Sequence, residues 1–330
     1  MLGRLLRSRR RAARANTQAA RLARPVISIG NISMGGRGKT PLVAHIARLL
    51  VAAGEKPAIL SRGYRRAHAA DGVTIVSRGL RTADGAVDLT HLADLSVSGD
   101  EPLMLAEAVP GAAVLVCEQR ALAGAVAETS LGCTVHVLDD GFQHYALKRN
   151  IDIVLLAESD LEGRLAPLGR LREPIDALAD AHAIIVDGGN PFVVERVQAE
   201  WGAGTFVGGM VRTMGVPSQS LAPGARVLAV AGIAGPERFF SSVASGWSVV
   251  ATMPFKDHHR FTPADVRAMQ ARAAAERAVA IVVTSKDFVK LRRFPAGAVP
   301  IVELPLDVRV EPAAFGDWLL TSLRRDDDRL

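Results

Sequence analysis

One octapeptide constrains this chain more than any other feature: Ser33-Met34-Gly35-Gly36-Arg37-Gly38-Lys39-Thr40. It follows a short apolar run, residues 25–29, and precedes a segment with helical apolar spacing, residues 41–53. Its glycines let consecutive backbone N–H groups turn toward one centre, and a helix start behind them adds partial positive charge. A strand–loop–helix unit of this kind cradles phosphate. Lys39 is placed to reach β- and γ-phosphates, and Thr40 to offer its hydroxyl to Mg²⁺. The strict pattern has glycine where Ser33 stands. The partition-type ATPases carry a signature lysine where this chain has Met34, which argues against that class.

The rest of the chain supplies the sheet that such a loop needs. Apolar, β-branched runs at residues 57–60, 73–76, 113–117, 134–138, 151–156 and 183–186 are interspersed with helical spacing at 101–109 and 120–129. Gly-broken strand material at 202–213 leads into a second alternation. Its strands fall at 227–231, 249–253, 280–284 and 299–304, with helices after Pro236, over 263–277 and over 312–323. Short buried strands separated by helices predict a parallel sheet covered on both faces. The expected fold is α/β: a P-loop NTPase-type parallel-sheet domain over residues 25–205, then a second, smaller α/β domain over 206–330 that includes a β-strand linker. A basic segment, residues 1–24, precedes both.

Charge is unevenly placed along the 330 residues, with 40 Lys+Arg against 34 Asp+Glu and a net charge of +6. Residues 1–24 hold eight arginines (Arg4, Arg7, Arg9, Arg10, Arg11, Arg14, Arg21 and Arg24) and no acid. Without them 32 basic face 34 acidic residues, a body at −2. That body, with two tyrosines and three tryptophans for stacking, excludes a broad nucleic-acid-binding surface. Cys117 and Cys133 sit in apolar runs and read as reduced core residues of a cytosolic protein. No run approaches the ~20 apolar residues of a membrane span, and the basic N-terminus lacks the apolar core of a secretory signal.

Several polar clusters follow expected strands. Asp139-Asp140-Gly141-Phe142-Gln143-His144 places two carboxylates at a strand end, where they repel unless a cation or hydrogen bonds offset them. Ser61-Arg62-Gly63-Tyr64, Gly99-Asp100-Glu101-Pro102 and Leu171-Arg172-Glu173-Pro174 are others. The second half adds Phe255-Lys256-Asp257-His258-His259-Arg260-Phe261 and Thr284-Ser285-Lys286-Asp287. By residue type alone, Asp100 reads equally as the N-cap of a following helix. His258 and His259, being adjacent, would point to opposite sides of a strand and not share a metal. Arg62 and Arg120 suit phosphate as well as a solvated surface.

Taken in order, the phosphate loop and the Ser-Arg-Gly-Tyr, Gly-Asp-Glu-Pro, Asp-Asp-Gly-Phe-Gln-His and Asp-His-His clusters resemble the tetraacyldisaccharide 4′-kinase family, from about residue 25 to about residue 291. The resemblance implies transfer of the ATP γ-phosphate, with Mg²⁺, to the 4′-hydroxyl of a tetraacylated glucosamine disaccharide 1-phosphate in lipid A synthesis. It also implies a peripheral protein, expected as a monomer, at the cytoplasmic face of the bacterial inner membrane. Asp100 then corresponds to the catalytic aspartate, His258 to a partner from the second domain that orients it, and Asp257 to a group holding the imidazole. Such a pair would assemble only on domain closure. Ser33, Met34, Gly35, Gly36, Arg37, Gly38, Lys39 and Thr40 bind the nucleotide. Thr40, Asp139 and Asp140 are the metal candidates, with Glu101 and Gln143 in support. Arg62, Tyr64, Arg120 and His144 are the substrate candidates. Arg65 and Arg66 stand where relatives usually have glycine, and Ser285 replaces a common glutamate.

A P-loop ATPase or GTPase switch acting on a protein partner is the alternative, because Thr284-Ser285-Lys286-Asp287 resembles a guanine-reading loop with its lysine one place late. An anionic membrane surface is the expected partner of the arginine segment, since each basic residue near such a surface contributes about 1 kcal/mol. Vesicle co-sedimentation should therefore fall steeply with salt and on deletion of residues 1–24. Salt-insensitive association would contradict this electrostatic account.

Overall fold

The computed structural model describes residues 12, 18–35, 38–63, 72–80, 88 and 92–327. Its elements in chain order begin with strand β1 (Val26–Gly30), helix α1 (Lys39–Ala52), β2 (Pro57–Ser61), β3 (Thr74–Arg78), α2 (Leu95–Ser98) and α3 (Asp100–Ala108). Next come β4 (Ala113–Val116), α4 (Arg120–Leu131), β5 (Val135–Asp139), β6 (Ile151–Leu156), β7 (Ala183–Asp187), α5 (Pro191–Trp201) and β8 (Phe206–Met214). The chain continues through β9 (Arg226–Ala231), α6 (Glu237–Gly246), β10 (Ser248–Pro254), α7 (Pro263–Ala275), β11 (Ala280–Thr284) and α8 (Ser285–Leu291). It closes with β12 (Ile301–Leu304), β13 (Leu306–Glu311) and α9 (Phe315–Asp327).

Two compact units divide these elements. The first holds Met1–Ser98, Leu105–Arg212 and Val308–Leu330, and the second holds Gly99–Met104 and Thr213–Asp307. This differs from the expected break between residues 205 and 206. The C-terminal segment returns to the first unit, and the short stretch around Asp100 belongs to the second.

In the first unit the sheet order is β13-β8-β7-β6-β1-β5-β2-β4-β3. The pairs from β8 through β4 are parallel, and β3 runs antiparallel to β4. The central strands are buried at every position, which is why they read as unbroken apolar runs. Each isoleucine so buried contributes roughly 1.5–3 kcal/mol relative to exposure. Strand β1 lies between β5 and β6, where the order reverses, so the loops beyond its C-terminal end open at a topological switch point.

Two interactions fix the chain beyond the end of β1. Gly141 N–H donates to Ile29 O at 2.9 Å. Gly30 has no side chain where the fully buried Phe142 packs: a Cβ there would lie 2.5 Å from Phe142 Cβ. The segment after β5 is thereby pinned against the phosphate loop.

The second unit has a parallel four-stranded sheet in the order β10-β9-β11-β12. Alternation along the strands sends Leu228, Val230, Ile281 and Val283 to one face and Val227, Ala229, Ala280 and Val282 to the other. Helix α7 starts at a capping box between Thr262 and Asp265 with Pro263 in its first turn.

Of the basic segment, residues 18–24 lie on the first unit. Ala20 N–H donates to Ala146 O, Arg24 N–H donates to Glu128 Oε1 at 2.7 Å, and Gly124 leaves room for the Leu22 side chain. The leucines at positions 2, 5 and 6 fall outside the described residues. No helix among the described residues is long and apolar enough to cross a membrane.

Gly30→Ala should force apart β1 and Phe142. The expected loss is about 1–3 kcal/mol, the usual cost of overpacking a well-filled core, read as a lowered denaturant midpoint.

Candidate active site

The phosphate end of the first unit is built from the loop after β1. Gly38 adopts φ 84° and Gly35 φ 113°, left-handed values that a side chain would strain. Helix α1 begins at Lys39 with no side-chain cap and no acid in its first turn. Helices α5 and α7, by contrast, are capped by Asn190 and Thr262. The free N–H groups of α1 are thus left for an anion. Ser33 is fully buried and its hydroxyl donates to Asp160 Oδ2 at 3.1 Å. The serine that replaces the pattern's glycine therefore braces the loop with its side chain. Met34 is held on both sides by Arg170, its N–H donating to Arg170 O and its carbonyl accepting from Arg170 Nη2. Gly36 and Arg37 lie outside the described residues.

Beside the loop, the two carboxylates after β5 have different surroundings. Asp139 is buried at the strand end. Asp140 takes a left-handed backbone, φ 55°, that turns its carboxyl toward cations. Lys39 Nζ lies 3.1 Å from Asp140 Oδ1 and 3.0 Å from Asn31 Oδ1. Arg172 forks onto both Asp140 oxygens at 2.9 and 3.2 Å and also bonds Asn31 Oδ1. Burial alone would raise the Asp140 pKa; the Arg172 hydrogen bonds and Lys39 outweigh it and bring it down to about 2. Side-chain cations thus offset the repulsion between the two adjacent acids.

Among the described residues no group of three or more His, Cys, Asp or Glu is arranged to hold a metal. The donor chemistry nevertheless fits Mg²⁺, which takes one or two carboxylates together with substrate phosphates. Gln143 Nε2 donates to Asn31 O at 2.9 Å, leaving Gln143 Oε1 a buried acceptor with no donor.

Two guanidiniums lie near these acids. Arg120, the first residue of α4, is buried; Nη1 donates to Glu118 O, and Nε has no partner. Burial and then the nearby Arg62 guanidinium lower its pKa. Burial, followed by Arg120, Arg149 and Arg62, takes His144 down to about 4, so it is neutral at pH 7. Two guanidiniums, one of them buried with an unmet N–H, suit a phosphate. Tyr64, Arg65 and Arg66 lie outside the described residues.

The second unit holds a separate cluster of acids and bases. Gly99, at φ 85°, turns the chain into α3, and Asp100 opens that helix. Asp100 Oδ1 accepts from Glu101 N–H at 3.0 Å, while Oδ2 lies 3.1 Å from His258 Nδ1. The residue thus serves both its helix start and the histidine. Burial pushes the Asp100 pKa up, but the His258 hydrogen bond and the charges of Lys286 and Lys290 bring it below the ordinary value. Asp100 and His258 belong to the same compact unit.

Asp257 was expected to hold the imidazole. Its nearest oxygen is 3.8 Å from His258 Nε2, too far for a hydrogen bond, and it pairs with Lys286 at 3.1 Å instead. Lys286 also takes Glu101 Oε1 at 3.3 Å, which gives that candidate metal ligand an ammonium partner. The two histidines lie in a turn after β10 rather than on a strand. His259 bonds Asp265 Oδ2 at 3.1 Å and its ring packs against Phe255 and Phe261, a structural role. Asp287 is fully buried, accepting from Gly232 N–H and Thr284 Oγ and pairing with Lys290 at 2.8 Å. Such a carboxylate cannot read a guanine, so the feature that favoured a GTPase is a helix cap.

Sequence reasoning gave no role to Arg172, Asn31, Lys286 or Lys290. Arg172 lay within a polar cluster, and Lys286 within the supposed base-reading loop, so both carried a signal without a partner. Arg212 had no signal; it pairs with Asp187 and reaches the backbone at Gly38.

A family model described as tetraacyldisaccharide-1-P 4′-kinase matches residues 1–324. The chain is 38% identical to the tetraacyldisaccharide 4′-kinase of Syntrophus aciditrophicus, over 94% of this chain and 86% of that one. It is 36% identical to that of Geobacter sulfurreducens, over 91% and 84% respectively. The crystal structure of LpxK from Aquifex aeolicus in complex with ATP superposes with a TM-score of 0.75 at 29% identity, covering 98% of this chain and 95% of that one.

Carboxyl-resolved NMR titration of the nucleotide-free protein should find Asp140 with a midpoint near about 2. Arg172→Met should raise it. Because the folded value is depressed, the stabilisation from these ion pairs is present above the unfolded aspartate's pKa and lost as pH falls toward the folded one.

Proposed function

The chain belongs to the tetraacyldisaccharide-1-phosphate 4′-kinase family, and on that basis we propose that it transfers the γ-phosphate of ATP to the 4′-hydroxyl of tetraacyldisaccharide 1-phosphate in lipid A synthesis, with Mg²⁺. The observation that carries the reading is the ionised Asp100 carboxylate held by His258, in a chain whose helix after the phosphate loop starts without a side-chain cap. The relative from Aquifex aeolicus, described in complex with ATP, supports ATP as the donor.

Asp100 Oδ accepts the proton of the 4′-hydroxyl as that oxygen forms its bond to the γ-phosphorus. The bond from the γ-phosphorus to the β,γ-bridging oxygen breaks, and ADP leaves. Little covalent work falls to the protein, and the rate gain comes from positioning and charge. Backbone N–H groups of the loop and the start of α1 receive the phosphates. Lys39, which meets Asp140 and Asn31, exchanges those contacts for phosphate oxygens. Arg172 keeps Asp140 ionised through that exchange. Arg120 and Arg62 take phosphate charge, on the nucleotide or at position 1 of the lipid. Thr40, Asp139 and Gln143 would hold Mg²⁺, which when bound neutralises charge on the β- and γ-oxygens.

The protein acts as a monomer at the cytoplasmic face of the inner membrane, where its lipid acceptor lies. Support for the membrane comes from the arginine segment and its short root on the first unit.

Purified tetraacyldisaccharide 1-phosphate incubated with γ-labelled ATP should yield labelled lipid, with GTP a much poorer donor. Asp100→Ala should lower kcat by roughly a hundredfold or more, the usual scale of a general base, with ATP binding unchanged. Near-normal kcat in that variant would remove Asp100 from the role.

A further inference from the structure

The ammonium of Lys286 faces three groups of the second unit. Its Nζ lies 3.1 Å from Asp257 Oδ1, 3.3 Å from Glu101 Oε1 and 3.1 Å from His258 Nε2. A lysine ammonium offers three donors and no acceptor. Nε2 must therefore accept, and the proton of the neutral ring sits on Nδ1. That nitrogen is 3.1 Å from Asp100 Oδ2, so it donates to the carboxylate. We propose that Lys286, anchored by Asp257 and Glu101, is a positioning residue that fixes His258 as its Nδ1–H tautomer and thereby orients Asp100. The catalytic consequence rests on the reading of Asp100 as the base, whereas the tautomer does not.

The surroundings make this more than a chance contact. His258 Nε2 also lies 3.8 Å from Asp257 Oδ2 and 3.9 Å from Glu101 Oε1. Without a cation between them, two carboxylates would draw a proton onto Nε2. The ring would then take the other tautomer, which offers Asp100 a lone pair in place of a donor, or become doubly protonated. Lys286 occupies both carboxylates and presents an N–H where an acceptor would otherwise stand. In its presence an Nε2–H would point at the ammonium. Burial works to lower the Lys286 pKa, but Glu101, Asp100 and Asp257 outweigh it, so the ammonium stays charged.

Two further observations agree. His258 takes a left-handed backbone, φ 59°, uncommon for a residue with a side chain and typical of places where a side chain must be aimed. The other nearby cation, Lys290, is 3.9 Å from Asp100 Oδ2 and is bound to Asp287 at 2.8 Å, so it supplies charge rather than ring orientation.

The test is a long-range ¹H–¹⁵N spectrum of the full chain labelled with ¹⁵N-histidine at neutral pH, with His258 assigned by its loss in His258→Gln. Native protein should show Nε2 unprotonated and Nδ1 protonated; a protonated Nε2 would overturn the proposal, whatever any variant does. In Lys286→Met, Nε2 should become protonated, and persistence of the native pattern would overturn it too. Lys286→Arg, again donor-only, should keep the native pattern, and its loss would refute the donor argument. In the lipid kinase assay Lys286→Met should lose about ten- to a hundredfold in kcat with little change in KM for ATP, the scale seen when a group orienting a functional residue is removed. A changed tautomer with unchanged kcat would refute the positioning role. Failure of the native protein to phosphorylate the lipid would instead count against the kinase reading and leave the tautomer result standing.

Discussion

The parallel register of β1 against β5 is the constraint that organises the first unit. It sets Ile29 opposite Asp139, so the chain leaves both strands at the same level. The phosphate loop and the paired acids become neighbours for that reason alone. Gly30 then admits Phe142, and Gly141 bonds back to Ile29, so the two segments cannot slide apart. A slip of one residue would turn every side chain of β1 to the opposite face, which a fully buried strand does not tolerate.

Electrostatics organise the two clusters, one in each unit, in the same manner. In each, a carboxylate is flanked by cations that keep it ionised. Asp140 has Lys39 and Arg172; Asp100 has Lys286 and Lys290, with the ring N–H of His258 as a hydrogen-bond donor. Asp257 and Glu101 complete the second set by balancing Lys286.

Much of the fold was legible because its strands are short, apolar and buried on both faces. The elements that escaped have other signatures. Helix α5 buries only Val193 and Val197, so its apolar stripe is thin, although Asn190-Pro191 was a readable start. Helix α8 was hidden behind a supposed loop motif, and its Thr284 cap became evident only with the Asp287 contact. Strand β13 alternates buried and exposed residues just after β12, so the two blurred together. The compact units are discontinuous in sequence at residues 99–104 and 308–330, and a linear boundary cannot describe a chain that leaves a unit and returns.

Asp100 and His258 stood out only through the resemblance to the family, whereas order and spacing along the chain were enough to specify the phosphate loop, the paired aspartates and the parallel α/β architecture. Those follow from local spacing, from backbone preference and from motif order. The partners were settled by the three-dimensional arrangement. His258 meets Asp100 across 158 residues, and Lys286 meets Glu101 across 185. Asp257, next to His258 in the chain, points to Lys286 instead of the imidazole. Apolar periodicity specifies which face of an element is buried, but which polar groups meet depends on where distant segments are brought together, and that is set by the packing of the whole unit.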